Sequence, residues 1–215
     1  MKNPVFILTC VILSVIIYKY VEGNNYEVKY VKSIINNKEY IVRNLPDKQQ
    51  AANLLSQLAI TLKKVVDYCA RTKPYNSLIK IHKLREIDPN LKKDKFDNDI
   101  ERLINNFNED EFSESTPDAK YTSYAVNKGD KIVMCLRIKK EGNKLMPLNV
   151  LKFVALHELS HLMTYSIGHT DEFWDNFKLV LKIAIDIGEY EHIDFNKNPV
   201  GYCGTQITDT PYKPK

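Results

Sequence analysis

Residues 148–170, LNVLKFVALHELSHLMTYSIGHT, are the stretch that decides the fold. Apolar residues recur every three or four positions, which predicts a helix from Asn149 to about Ile167 with one face on the core. Gly168 stands where a left-handed cap would end such a helix. The residues expected to face the core are Leu151, Val154, Ala155, Leu159 and Leu162.

Inside this helix, residues 157–161 spell HELSH, an HExxH motif. Because residues four apart lie on one helical face, roughly 6 Å apart at Cβ, the imidazoles of His157 and His161 can point at one metal ion. Zinc suits imidazole ligands at this spacing. Glu158 lies one position round the helix, where its carboxylate can take a proton from water at the metal. The motif therefore predicts a zinc site with Glu158 as the general base.

A catalytic zinc usually takes three protein ligands, so a third must come from elsewhere in the chain. His169 is the leading candidate, because a reversal at Gly168 would return it toward the metal just before Thr170 caps the next helix. His82, in a Lys-rich stretch, is interpreted as a bystander. Alternative ligands from the end of the following helix are Glu189, Glu191 and His192.

That following helix is predicted from Thr170 to about Ile187, with Gly188 as its cap. Its aromatic residues are interpreted as core packing rather than as a substrate pocket, because large aromatic side chains are mostly buried. They are Phe173, Trp174 and Phe177.

A hairpin is predicted before the HELSH helix, because YTSYAV and KIVMCLRI alternate in polarity on either side of residues 127–130. An edge strand beside a metal can receive an extended substrate through backbone pairing. KIVMCLRI is the candidate for that strand, and an ordinary interior strand is the alternative reading of the same pattern.

The remaining chain predicts an α+β fold with a small antiparallel sheet. Residues 26–43 have the composition of a hairpin, and Pro46 and Asp47 begin a helix whose apolar positions reach Cys69. A broken helical region at residues 77–107, interrupted at Asp88-Pro89-Asn90, precedes an acidic loop at 108–120. The C-terminal end is expected to be coil. We therefore expect one zincin-like domain over residues 24–215.

The N-terminal segment, residues 1–23, contains the uncharged run VFILTCVILSVIIY at 5–18. We interpret it as a transmembrane anchor and so predict a single-pass membrane protein; the alternative is a cleaved signal peptide, although the usual small-residue cleavage pattern is absent. Lys2 and Lys19 leave the flanking charges nearly balanced, so they do not set the orientation.

Charge and cysteine content narrow the class of protein further. Lys and Arg exceed Asp and Glu by 31 to 27, a net charge of +4 spread along the chain, which gives no electrostatic argument for binding DNA. No CxxC pair occurs, so the cysteines predict neither a zinc ribbon nor a disulfide framework. Outside the apolar run, Cys69, Cys135 and Cys203 form an odd set that favours a reducing, cytosol-facing side.

The combination of HELSH with GHTDEFW a short distance later resembles the WLM and SprT-like zinc metallopeptidases, which carry a G-H-x-x-x-F element. The wider run, from VRNLPDKQ to ITDTP, is similar to membrane-anchored members in large DNA viruses of protists. The resemblance implies zinc bound by His157, His161 and His169, with Glu158 as catalytic acid and base. Cellular members of the family act on proteins crosslinked to DNA.

The function expected from the sequence is that of a zinc-dependent metalloendopeptidase that hydrolyses peptide bonds in protein or peptide substrates. Two alternatives belong to other classes. One is a membrane-tethered zinc-binding module that does not catalyse, against which an intact Glu158 weighs. The other, which follows from the resemblance alone, is a repair protease that requires DNA.

Overall fold

The computed structural model describes residues 9, 11–18, 27–72, 89–119, 122–138 and 142–213. The strands are β1 (Val28–Lys32), β2 (Glu39–Arg43), β3 (Phe112–Glu114), β4 (Tyr124–Val126), β5 (Lys131–Met134), β6 (Arg137–Ile138), β7 (Lys144–Leu145), β8 (Val200–Tyr202) and β9 (Thr205–Ile207). The helices named below are α1 (Lys48–Thr72), α2 (Pro89–Asn106), α3 (Leu148–Met163) and α4 (Asp171–Asp186). The α+β class is therefore confirmed.

The main sheet has the strand order β1-β2-β3-β5-β4 in the described part of the chain. The two predicted hairpins are present as the antiparallel pairs β1–β2 and β4–β5. The sheet is nevertheless mixed and not antiparallel, because β3 pairs parallel with both β2 and β5. That insertion makes β5, the KIVM part of the predicted edge strand, an interior strand. The edge strand on this side is β4.

Strand β3 lies inside the stretch that we expected to be an acidic surface loop. Its side chains are buried, including the carboxylate of Glu114. Arg137 Nε donates to Glu114 Oε1 at 2.6 Å, and the backbone N–H of Arg43 donates to Oε2 at 2.7 Å. The loop prediction was wrong because an acidic residue that would normally be solvated is neutralised here by a buried guanidinium.

Helix α1 has the buried face that the apolar spacing predicts, from Ala51 through Leu55 and Leu62 to Cys69. It packs against α2, α3 and β2 and so forms the centre of the core. Of the predicted broken helix, α2 begins at Pro89, so Pro89 and Asn90 of the predicted interruption are helical. Asp88 and the predicted helical residues before it lie outside the described residues, as does His82.

Helix α3 ends at Met163, four residues before the predicted end at Ile167. Side chains of α2 donate hydrogen bonds to carbonyl groups in the last turn of α3. Asn106 Nδ2 donates to Leu162 O and Arg102 Nε donates to Met163 O, each at 3.2 Å. These tertiary hydrogen bonds satisfy the C-terminal carbonyls without a glycine cap. The chain is therefore free to leave the helix one turn early.

The C-terminal end forms the antiparallel hairpin β8–β9 instead of coil. A disulfide between Cys135, just after β5, and Cys203, in the turn of this hairpin, fixes it to the sheet with a Cα–Cα distance of 6.3 Å. Cys69 is free and buried. The reducing-side interpretation used these three cysteines as an odd set, and the pairing of two of them removes that part of its support.

Of the predicted N-terminal anchor, residues 9 and 11–18 are helical and exposed, and residues 1–8, 10 and 19–23 lie outside the described residues. Among the described residues, no helix combines the length and the apolar composition that crossing a membrane requires.

Candidate metal and catalytic site

Helix α3 places both histidines of the HELSH motif on one side. The helix packs against α4, α2 and α1, so its apolar residues are buried and its register is fixed. The ring centroids of His157 and His161 are 5.0 Å apart, as expected for residues separated by one turn. The ring of Phe173 in α4 stacks on the ring of His161, with the two centroids 4.3 Å apart, and so restricts its orientation.

The loop between α3 and α4 brings His169 back to this pair. Gly168 has a φ of 85°, a left-handed value that allows the chain to reverse, although it lies in the loop and does not cap α3. Thr170 then caps α4 by accepting a hydrogen bond from Phe173 N. The Nε2 atoms of His169 and His157 are 3.0 Å apart, and the His169 and His161 ring centroids are 5.0 Å apart.

The same loop is held by the first turn of α4. Glu172 accepts hydrogen bonds from the backbone N–H groups of Tyr165 and Ser166, each at 3.2 Å. The hydroxyls of Ser166 and Thr170 are 2.6 Å apart. These hydrogen bonds fix the loop and so position the backbone of His169, although the side chain of His169 is exposed.

The environment of His157 and His161 favours their neutral imidazoles. Burial lowers the pKa of His157 to about 3, and the neighbouring His161 and His169 act in the same direction. Burial also lowers the pKa of His161 to about 4, assisted by His169 and by the positive charge of Lys128. The neutral ring is the form that binds a metal ion.

The geometry fits a tetrahedral zinc ion. One nitrogen from each of the three histidines can be chosen so that all lie within 4.8 Å of one another. Zn–N bonds of 2.0–2.1 Å in a tetrahedron place ligand nitrogens about 3.3 Å apart, so small side-chain movements suffice. Three imidazoles and a nearby carboxylate that is not a ligand also match the donor set of a catalytic zinc.

Glu158 lies at the open edge of the sheet, with only 5% of its surface exposed. Its carboxylate accepts a hydrogen bond from the backbone N–H of Ala125 in β4, and burial raises its pKa to about 7 despite that bond. The N–H of Ile132, which faces Ala125 across the β4–β5 pair, donates instead to Glu111 O on the far side of β5. The Ala125 N–H therefore points outward from the sheet edge.

The alternative ligands lie away from the histidine cluster. Glu189 pairs with Lys64 and Thr61 of α1, where those contacts lower its pKa despite burial. His192 Nε2 lies 3.0 Å from the carbonyl oxygen of Tyr212. The backbone of Glu191 pairs with the side chain of Asn149, and the cluster of potential ligand residues contains none of the three alternatives.

A cleft of about 630 Å³ opens in front of His157, Glu158 and His169. The core-packing prediction holds for Phe173 and Phe177, which are buried, whereas Trp174 is 41% exposed. Both Trp174 and Phe177 line the cleft. Several other lining residues were not found from sequence, because they come from β9 and from the segment before β4, which are distant from the HELSH helix in sequence. Among them are Ser123 and Ile207.

Tyr202 forms part of the cleft wall and joins it to the sheet. Its hydroxyl donates to Cys135 O at 2.9 Å and lies 2.5 Å from Ser123 Oγ. Burial raises the pKa of this phenol above its usual value, so it stays protonated. The wall and the sheet edge are therefore connected by hydrogen bonds as well as by the disulfide.

An α+β domain in which an HExxH helix and the loop after it gather three imidazoles beside a buried carboxylate has the arrangement typical of zincin-like metallopeptidases. The chain belongs to the WLM domain family, whose model matches residues 34–208. It is thus a WLM-type member of a protease family, with relatives in large DNA viruses.

One relative is an uncharacterized protein of Acanthamoeba polyphaga mimivirus, 37% identical over 183 residues, which are 85% of this chain and 84% of that protein. Another is an uncharacterized protein of Invertebrate iridescent virus 6, 37% identical over 83 residues, covering 38% of this chain and 44% of that protein. Among solved structures, Wss1 from Saccharomyces cerevisiae, in a mutant form, matches with a TM-score of 0.35 at 22% identity, covering 46% of this chain and 79% of Wss1.

Proposed function

We propose that this protein is a zinc-dependent metalloendopeptidase that hydrolyses peptide bonds in protein substrates. The observation that carries the proposal is the convergence of His157, His161 and His169 within 4.8 Å, next to the carboxylate of Glu158 and in front of an open cleft. Membership of the WLM family supports the same reaction class.

In this proposal His157, His161 and His169 hold the metal. When bound, zinc acts as a Lewis acid that makes water more acidic and polarises a carbonyl group. Glu158 takes a proton from the attacking water and transfers it to the nitrogen of the leaving amine. The hydrogen bond from Ala125 N–H keeps the carboxylate facing the cleft during both transfers.

We further propose that the substrate lies along β4. This strand is the edge of the sheet in the described part of the chain, and an extended peptide can add to such an edge through backbone hydrogen bonds. Because Glu158 already occupies the outward N–H of Ala125, a peptide on β4 would pair with the outward carbonyl group of the same residue and pass next to the general base. The sequence hypothesis gave this role to KIVMCLRI, whose strand β5 is interior as the alternative reading had it, so the present proposal assigns the role to β4.

The test is cleavage of casein by the full-length chain, with zinc content measured on the same samples. The Glu158→Gln variant is expected to keep about one zinc per chain and to lose roughly 10²–10⁴-fold in rate, since the ligands remain and the base is lost. Glu101→Gln, an exposed carboxylate on α2, is the matched control and should cleave normally. A chelator should abolish cleavage, and added zinc should restore it.

Three outcomes would change the proposal. Full activity in zinc-loaded Glu158→Gln would remove Glu158 from the mechanism. A wild-type protein that holds zinc and cuts nothing would favour the non-catalytic zinc-binding module. Cleavage that depends on single-stranded DNA and weakens as salt rises would favour the DNA-linked protease.

A further inference from the structure

The cleft extends beyond the histidine cluster along an apolar wall that takes no part in the proposed peptide-bond hydrolysis. Phe153 and Val154 line it from α3, Trp174 and Phe177 from α4, and Ile207 from β9. Phe153 and Phe177 are in contact, with ring centroids 5.2 Å apart. Aromatic and aliphatic side chains from three separate elements therefore converge on one space.

This apolar wall adjoins the proposed reaction centre. The ring centroid of Phe177 lies 5.2 Å from that of His157, and the ring of Trp174 lies 5.6 Å from that of His169. Phe153 precedes His157 by about one helical turn, a rise of roughly 6 Å. Consecutive Cα atoms are only about 3.8 Å apart, so the side chain of a residue at the scissile bond can contact this apolar wall.

The pocket is formed by tertiary structure and is partly open to solvent. Trp174 is 41% exposed, an unusual exposure for the largest aromatic side chain in a domain with an ample core. Ile207 reaches the cleft because the disulfide at Cys203 fixes the β8–β9 hairpin to the sheet. The space is lined by apolar side chains together with polar ones, among them Lys178 and Gln206, and this combination is the usual form of a binding pocket.

We propose that this space is a side-chain pocket that selects substrates with a large apolar residue, such as Leu or Phe, beside the bond to be cut. The inference rests on the proposed function for its substrate class. Trp174 and Ile207 are the specificity-determining residues, since both line the pocket and neither is fully buried.

The first experiment measures kcat/KM for quenched fluorescent peptides that differ only in one residue next to the scissile bond. Wild type should prefer Leu or Phe over Ala by about 10–100-fold, the value expected from burying one large apolar side chain. Ile207→Ala and Trp174→Ala should lose most of that preference while zinc content stays unchanged. Tyr30→Ala, an aromatic residue 72% exposed on β1 at the opposite edge of the sheet, is the matched control.

The second experiment measures binding without catalysis. Trp174 is the chain's single tryptophan, so its fluorescence reports occupancy of the pocket directly. Blocked pentapeptide amides with central Leu, Phe or Ala are titrated into the full-length Glu158→Gln variant and into the same variant carrying Ile207→Ala. The Leu and Phe peptides should bind about 10-fold or more tightly than the Ala peptide, and Ile207→Ala should reduce the difference.

The two experiments separate this inference from the proposed function. Cleavage with equal kcat/KM for Leu and Ala peptides would overturn the pocket and leave the protease intact. Selective binding of Leu and Phe peptides without any cleavage by wild type would overturn the protease and leave the pocket. Equal binding of all three peptides would overturn the pocket whatever the protease assay gives.

Discussion

Removing the disulfide between Cys135 and Cys203 should cost a large part of the stability of the domain. The two cysteines are 68 residues apart in sequence, so the bond closes a long loop in the unfolded chain. Loop-closure entropy for that length gives about 4 kcal/mol at 25 °C, and measured effects of native disulfides run from roughly 2 to 5 kcal/mol. Because the total free energy of unfolding of a domain is only about 5–15 kcal/mol, we expect a clear fall in the urea concentration at the unfolding midpoint.

The assay is urea unfolding at 25 °C, followed by tryptophan fluorescence, for wild type with and without reductant and for Cys135→Ala/Cys203→Ala. Reduced wild type and the double variant should agree, because both lose the same cross-link. Cys69→Ala keeps the disulfide and controls for the loss of a buried thiol. The reasoning is refuted if reduction changes the free energy of unfolding by less than about 0.5 kcal/mol, well below the range for native disulfides.

Three further predictions concern single side chains. His169→Ala should weaken zinc binding by more than the roughly 10–100-fold that loss of a residue hydrogen-bonded to a ligand costs. The affinity is measured by competition with a chromophoric chelator. An unaltered affinity would remove His169 as a ligand. Arg137→Met should lower the free energy of unfolding in urea by about 3–5 kcal/mol, because it leaves the buried carboxylate of Glu114 without its cation. An unchanged free energy of unfolding would contradict this prediction. Burial raises the pKa of Cys69 to about 12, so iodoacetamide at pH 8 should leave this thiol unmodified in the folded protein and modify it in urea, as read by mass spectrometry of its peptide.

The parts of the fold that follow from local spacing could be read from the sequence. The helix carrying His157 and Glu158 was recognisable because the apolar period and the HExxH spacing agree, and Thr170 was recognisable as a helix cap from its side-chain chemistry. The β4–β5 hairpin was similarly marked by its turn at residues 127–130. Each of these features depends on residues close together in the chain.

The missed features depend on partners far away in sequence. Glu114 looked like part of a solvated acidic loop because its cation, Arg137, lies 23 residues later in the sequence. The strands that pair with β3, β2 on one side and β5 on the other, are also not adjacent to it in the predicted order. Helix α3 was extended too far because its last carbonyls are taken by side chains of α2. Cys203 gave no sign of pairing with Cys135 because cysteine spacing alone does not specify connectivity.

The position of the disulfide also determines the effect of a single backbone cut in the loop before His169. Helices α3 and α4 and the loop that carries His169 all lie between Cys135 and Cys203, so the whole histidine cluster belongs to one covalently closed ring. A nick at an exposed residue of that loop, such as Ile167, opens the ring without releasing either piece. Self-digestion there would yield a two-chain molecule that separates only after reduction.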